Sequence, residues 1–402
     1  MLKLFYNKNF SIIFSGRLLT NLGDSLYFII TMWLVFDLTH SEFYTGLAGF
    51  LLLLPETLQF LIGPIVNNYS PKLILIFVQI FQGILMLIIP ILYNTNTLNI
   101  YLLLLLIFIS STINQFNYPI HNILLPKILS YNDLTKGNSL LTVAYQGTDI
   151  PFNALSGLLL SITSAISLYL YNFFAFIFTG FIFSFLSVSF NTSKKKKFNI
   201  NDYYNEIIDS FKFVFSTIIF KIFLGLIVLN FTSGIIMAIL PIYSNIKGGP
   251  LFYGYYLSCM SIGVLLGAFA SNFLDRFPLG KLHIVMFFIS FLSLFSSTFF
   301  ENHFNFVLFL ITWIPFGVTN VISISTAQRL LDEDNIAKVY TIINSVGVIA
   351  MPIGSLFSGI ISTYIGPNNI MILSSILFLF VTFIWITIHD LRNLPQSKNV
   401  KL

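Results

Sequence analysis

The stretch from Leu73 to Leu92 contains no charged side chain, and neither do 98–118, 167–190, 222–246 or 368–388. Runs of this kind leave few folds open. In water a helix this long would keep a charged face. A bilayer core instead asks for about 20 apolar residues per helix. The whole chain of 402 residues agrees: hydrophobic residues make up 56%, charged residues 9%, and the mean hydropathy is +0.87. Water-soluble domains carry roughly a quarter charged residues, so soluble and disordered classes are excluded. The runs do not alternate and are far too long for barrel strands. The chain reads as an all-α integral membrane protein.

Twelve segments meet the length requirement: 10–36, 43–66, 73–92, 98–118, 138–162, 167–190, 219–244, 251–273, 281–300, 304–326, 339–362 and 368–388. Lys and Arg set the orientation, because positively charged loops stay in the cytoplasm. With both termini inside, that side receives Lys3, Lys8, Lys72, Lys127, Lys136, Lys194–Lys197, Lys212 and Lys221. From the second half it receives Arg276, Lys281, Arg329, Lys338, Arg392, Lys398 and Lys401. The other face keeps Lys247, with Asp37, Glu42 and Glu301. The lysine run at 194–197 is thereby an orientation signal, and no nucleic-acid partner is expected. The N-terminus reads as a retained first helix and not a cleaved signal. A multi-pass protein of a bacterial plasma membrane follows.

The longest stretch between spans is 191–218. Within it Ile207, Ile208, Phe211, Val214 and Phe215 recur at helical spacing opposite Glu206, Asp209 and Lys212, which predicts an amphipathic helix over 203–216 lying on the membrane surface. It separates a six-helix bundle at 1–191 from another at 219–402, with 192–218 as cytoplasmic linker. Lys127 and Arg329, Leu129 and Leu331, and Lys136 and Lys338 stand at one constant offset of half the chain. A duplicated six-helix unit is the parallel repeat of secondary transporters.

Three strings carry a family resemblance. They are Phe14-Ser-Gly-Arg17-Leu-Leu-Thr-Asn in the first span, Tyr118-Pro119 through Leu124-Leu-Pro126 to Asn138-Ser-Leu around the fourth loop, and Ala350-Met-Pro352-Ile-Gly354 to Ser358-Gly359 in the eleventh span. In this order and spacing the chain resembles the major facilitator superfamily, in its branch of macrolide-efflux and enterobactin exporters. The resemblance implies twelve transmembrane helices in two six-helix bundles, efflux by antiport, and antibiotic resistance or siderophore export as the physiological setting. The superfamily's loop between spans 2 and 3 reads Gly-x-x-x-Asp-(Arg/Lys). Here it is Gly63-Pro-Ile-Val-Asn67-Asn68, with Lys72 downstream. The resemblance makes this the gate loop, and the loss of both charges predicts a gate held by weaker, neutral hydrogen bonds. The antiport motif of span 5 is also degraded, around Asp149-Ile-Pro151.

Charges inside a membrane mark function by default, at roughly 2.5–3.5 kcal/mol each. Arg17, Asp24, Glu56 and Asp149 all lie in the first half. At about 1.5 Å per residue, Asp24 stands about 21 Å beyond Phe10 and Arg17 only about 10 Å, so Arg17 is able to snorkel towards the cytoplasm, anchoring span 1 or bonding a carbonyl. Asp24, Glu56 and Asp149 are the proton-coupling candidates, with Glu56 sharing the proton of Asp24; the structural alternative is an interhelical hydrogen bond for Glu56 and packing for Asp149. Arg17, Asn21, Gln59, Asn114, Gln146, Asn230 and Asn320 are the cavity candidates. Their alternative is polar glue between helices.

Other chemistry is not encoded. No phosphate-binding glycine loop is present, and the single Cys259 excludes a disulfide framework. His40, His121, His283, His303 and His389 are scattered, lack metal spacing and are expected at interfaces. Neither a metal, a cofactor nor an enzymatic reaction is expected. The resulting expectation is a monomeric secondary transporter, exporting an amphipathic small molecule against protons. Uptake of a metabolite, or a non-transporting membrane interaction protein, are the rival readings.

Overall fold

The computed structural model describes residues 2–57, 70–130, 133–144, 148–188, 218–300, 304–330 and 333–400. Among them there is no strand, and helix predominates. The helices are α1 (Lys8–Thr39), α2 (Glu42–Thr57), α3 (Pro71–Asn94), α4 (Ile100–Asn114), α5 (Asn117–Ile128), α6 (Leu134–Thr142), α7 (Asp149–Ile162) and α8 (Ala165–Ser184). They continue as α9 (Ile218–Lys247), α10 (Pro250–Leu274), α11 (Leu279–Ser297), α12 (Phe304–Leu330), α13 (Glu333–Ile365), α14 (Pro367–Thr387) and the short α15 (His389–Arg392). Nine of these described helices are long and apolar enough to cross a membrane, and α4 and α7 are shorter apolar helices.

Two details differ from the reading above. The fourth span ends at Asn114 and the chain restarts as α5, because the run Asn114-Gln115-Phe116-Asn117 turns its amides to local partners. The fifth is met by α6 and α7, with 145–147 between them outside the described residues. The predicted amphipathic helix at 203–216 lies outside the described residues, as do most of the linker and the gate loop up to residue 69.

The chain forms two compact units. One comprises Met1–His40, Leu51–Phe198 and Gly249–Gly254, the other Ser41–Phe50, Asn199–Gly248 and Tyr255–Leu402. In lipid, helix association gains little from hydrophobicity and rests on close van der Waals fit and interhelical hydrogen bonds. Within the first unit, Gly16 of α1 receives the ring of Phe183, and Gly23 receives Phe176 and Asn172. Phe183 and Phe176 are fully buried on α8. Within the second unit, Gly46 lies on Gly359 so closely that a Cβ on either would meet backbone. Ser355 Oγ donates to Gly46 O there, at 3.0 Å.

The first unit's helix ends are tied by polar side chains. Asn7 accepts from the amides of Asn9 and Phe10, capping α1, while its own amide nitrogen donates to Ile128 O at 2.7 Å. Asn9 and Ser187 bond reciprocally: Asn9 Nδ2 donates to Ser187 O at 3.2 Å and Ser187 N donates to Asn9 Oδ1 at 2.9 Å. Lys72 Nζ donates to Leu186 O at 2.7 Å. A cation at a helix C-terminus satisfies carbonyls that have no intrahelical partner. Lys72 of the expected gate loop thus holds the end of α8.

Candidate functional site

Arg17, Asn21 and Asp24 share one face of α1, being four and three residues apart. That face lies in the interior of the first unit. Arg17 is buried, with 6% of its surface exposed, and so does not snorkel. Its charge acts on two carboxylates, Asp24 and Asp149. Asn21 joins α1 to α7: its Nδ2 donates to Asp149 Oδ1 at 2.9 Å and to Thr148 Oγ1 at 2.7 Å. Thr148 in turn donates to Ala144 O at 2.7 Å.

A second line of amides reaches Asp24 from the other side. Gln79 Nε2 of α3 donates to Asn117 Oδ1 at 3.2 Å, and Asn117 Nδ2 donates to Asn114 Oδ1 at 2.6 Å. Asn117 accepts from Gln79 and donates to Asn114, while Gln79 Oε1 is buried without a partner. Asn114 stands next to Asp24, near enough to act on its carboxylate. One oxygen of that carboxylate, Asp24 Oδ1, is buried and has no hydrogen-bond partner. A buried polar atom left unsatisfied costs about 1–3 kcal/mol.

The two acids that interact are Asp24 and Asp149. Glu56, next to the Pro55 inside α2, has an exposed side chain, and none of these charges is brought to it. The structure therefore assembles Arg17, Asn21, Asp24, Asn114 and Asp149 and leaves Glu56 apart. Asn230 and Asn320 belong to the second unit; Asn230 lies beside Gly347. Gln59, Gln146, Gly63, Asn67 and Asn68 fall outside the described residues.

Two participants went unread in the sequence, Asn117 and Thr148. The run of amides at 114–117 inside an apolar span was the available signal for the first. A threonine carries no such signal, since Thr commonly bonds its own helix, as Thr148 also does.

The second unit holds a buried group the sequence placed at an interface. His283, 1% exposed, stacks on Trp385 with ring centroids 4.2 Å apart and planes 9° from parallel. Its Nδ1 lies 2.9 Å from Leu279 O, which can only accept, so Nδ1 carries the proton. Nε2 then accepts from Ser323 Oγ at 3.1 Å. Both ring nitrogens are satisfied in the neutral form, which is why a histidine is tolerated inside. Among the described residues, no cluster of three or more His, Cys, Asp or Glu could hold a metal ion.

The family described as transmembrane secretion effector matches residues 2–400. The chain belongs to that family, within the major facilitator superfamily. It is a membrane transporter of that type. It is 21% identical, over 92% of its length and 90% of the relative's, to a Bacillus subtilis (strain 168) protein named as an uncharacterized MFS-type transporter, YvqJ. Its fold is similar to the nucleoside transporter NupG (TM-score 0.71, 13% identity, 93% and 98% of the two chains). It is likewise similar to a bacterial homologue of the lysosomal transporter Spinster (TM-score 0.73, 11% identity, 94% and 95%). A bacterial homologue of the iron transporter ferroportin follows (TM-score 0.68, 15% identity, 94% and 97%). These likenesses establish the fold alone.

Proposed function

We propose that the transporter exports an amphipathic small molecule, such as an antibiotic, a siderophore or a related natural product, by alternating access coupled to protons. The observation that carries this reading is the set of one buried guanidinium and two half-buried carboxylates, Arg17 with Asp24 and Asp149, joined by Asn21. With both acids ionised the set holds one net negative charge; with one proton added it is neutral. Interacting acids of this kind take up and release protons as a unit. A proton arriving from outside and a substrate arriving from inside then compete for one charge, which is what antiport requires. Asp24, with a free buried oxygen, is the proton-carrying member, and Asp149 its partner. Arg17 keeps the loaded set from becoming strongly charged. Asn21 holds Asp149 in place. The family's description as a secretion effector supports outward direction.

The experiment is gradient-driven transport in everted vesicles, on a compound selected by screening a deletion strain for lost resistance. Asp24→Asn keeps the shape and removes the titration. Transport should fall to the background of empty vesicles while protein level stays unchanged. Transport by Asp24→Asn that still follows an imposed pH gradient would sink the assignment. Accumulation in right-side-out vesicles would instead show an uptake system.

A further inference from the structure

Helix α11 starts without a cap of its own. Pro278 occupies its N-cap position and offers no side-chain hydrogen bond, although the first turn of any helix leaves several N–H groups without intrahelical partners. Here the partners come from over a hundred residues away. Leu279 N donates to Pro395 O at 3.0 Å and Gly280 N to Leu394 O at 3.3 Å. Carbonyl oxygens at this end also meet the positive end of the helix dipole.

The segment that supplies them is seated along its length. Leu391 is fully buried, Leu394, Ser397 and Val400 nearly so. Gln396 Nε2 donates to Arg276 O at 2.7 Å, in the turn before α11. Ser397 Oγ and Thr326 Oγ1 of α12 lie 2.8 Å apart. The fit depends on Gly280, where a Cβ would press into the backbone carbonyls of Leu391 and Arg392. Outside, Lys221 Nζ of α9 pairs with Asp390 Oδ2 at 2.6 Å.

The turn held in this way is not an ordinary one. Ser271-Asn-Phe-Leu-Asp275-Arg276, with Lys281 downstream, keeps the Asp-Arg spacing that Gly63 to Asn68 has lost. Its backbone is fixed at Asp275, whose N–H donates to Ser271 O at 2.9 Å, and at Arg276 through Gln396.

We propose that His389–Val400 is a built-in clasp of the second unit. It supplies the missing N-terminal cap of α11, fixes the Asp275–Arg276 turn, and makes the neighbouring ends of α10, α11, α12 and α14 move as one body. Releasing the clasp frees that turn. This assignment does not depend on what the transporter carries.

Hydrogen exchange of the full-length protein in nanodiscs tests it. In the wild type the Leu279 and Gly280 amides should be protected. In Gly280→Val, and separately in Leu394→Asp, their exchange should rise at least about fivefold, the factor that loss of an ordinary cap gives. Peptides from α8 serve as the control for folding. Unchanged protection at Leu279 and Gly280 in both variants overturns the proposal. A second measurement avoids reliance on those variants. In a Cys259→Ser background, Thr326→Cys with Ser397→Cys should form a disulfide under mild oxidation in membranes. A folded protein that never forms it shows the segment unseated and overturns the proposal.

Discussion

The two units solve the same packing problem with opposite interiors. In the first, Gly23 of α1 lies against Phe176 and Asn172 of α8, and the same helix carries Arg17, Asn21 and Asp24 into a charged set. At half a chain's offset, Gly225 of α9 lies against Trp385 of α14 and Phe287 of α11. The polar group at that core is a neutral histidine, stacked on the tryptophan and satisfied on both nitrogens. The close helix fit needs only a glycine opposite a ring, so it survives a complete change in the chemistry around it. Charge is therefore an addition to this helical unit and not a condition of it. One copy can hold the ionisable groups while the other is free to be aromatic.

The sharpest way to break this comparison is to remove the cation of the first unit. Arg17→Gln leaves two carboxylates facing each other without compensation, and loss of one partner from a buried charged group costs about 3–5 kcal/mol. Thermal unfolding in detergent should show the largest loss of any single substitution considered for either unit. Adding Asp24→Asn to Arg17→Gln should recover a good part of it. If the double variant is no better than the single one, the charges do not act on one another.

The second unit supplies the counterpart. His283→Phe keeps the ring volume and the stack on Trp385 but deletes the bonds to Leu279 O and Ser323 Oγ. A loss of about 1–2 kcal/mol is expected from two neutral hydrogen bonds. The pH dependence of transport should be unaltered. A shifted pH profile in His283→Phe would mean that the second unit also handles protons, and the comparison would fail.

The smallest effect concerns the surface. Each unit has an exposed ion pair near its helix ends: Lys136 with Asp133 at 3.2 Å, and Lys221 with Asp390 at 2.6 Å. The hydrogen bonds from Ser130 and Lys136 hold the Asp133 carboxyl below its ordinary range, and the hydrogen bond and charge of Lys221 do the same for Asp390. A carboxyl depressed in the folded state stabilises at pH values above its unfolded pKa. That contribution disappears as pH falls through the folded value, hence only below about pH 4. Asp133→Asn and Asp390→Asn should unfold like wild type at low pH and differ little at pH 7, since exposed pairs contribute little. A marked loss at pH 7 in Asp390→Asn alone would show the pair to be an essential part of the clasp.

Much of this architecture could be read from residue order. Long uncharged runs admit only helices in lipid, because every backbone polar group must be satisfied within its own segment. The positions of the spans, and the gathering of membrane charges in one half, needed nothing further. Tertiary structure decided which of those charges meet. Arg17 looked shallow enough to reach water, yet it is buried and its charge acts on Asp24 and Asp149. In sequence Glu56 was the acid set beside Asp24, but it is Asp149 that is carried to α1, by Asn21. The cap of α11 was beyond any local reading, because its donors sit at 279–280 and its acceptors at 394–395. Periodicity and composition report on a segment and the solvent around it. Which polar atom finds which partner depends on distances between segments, and those exist only once the helices have packed.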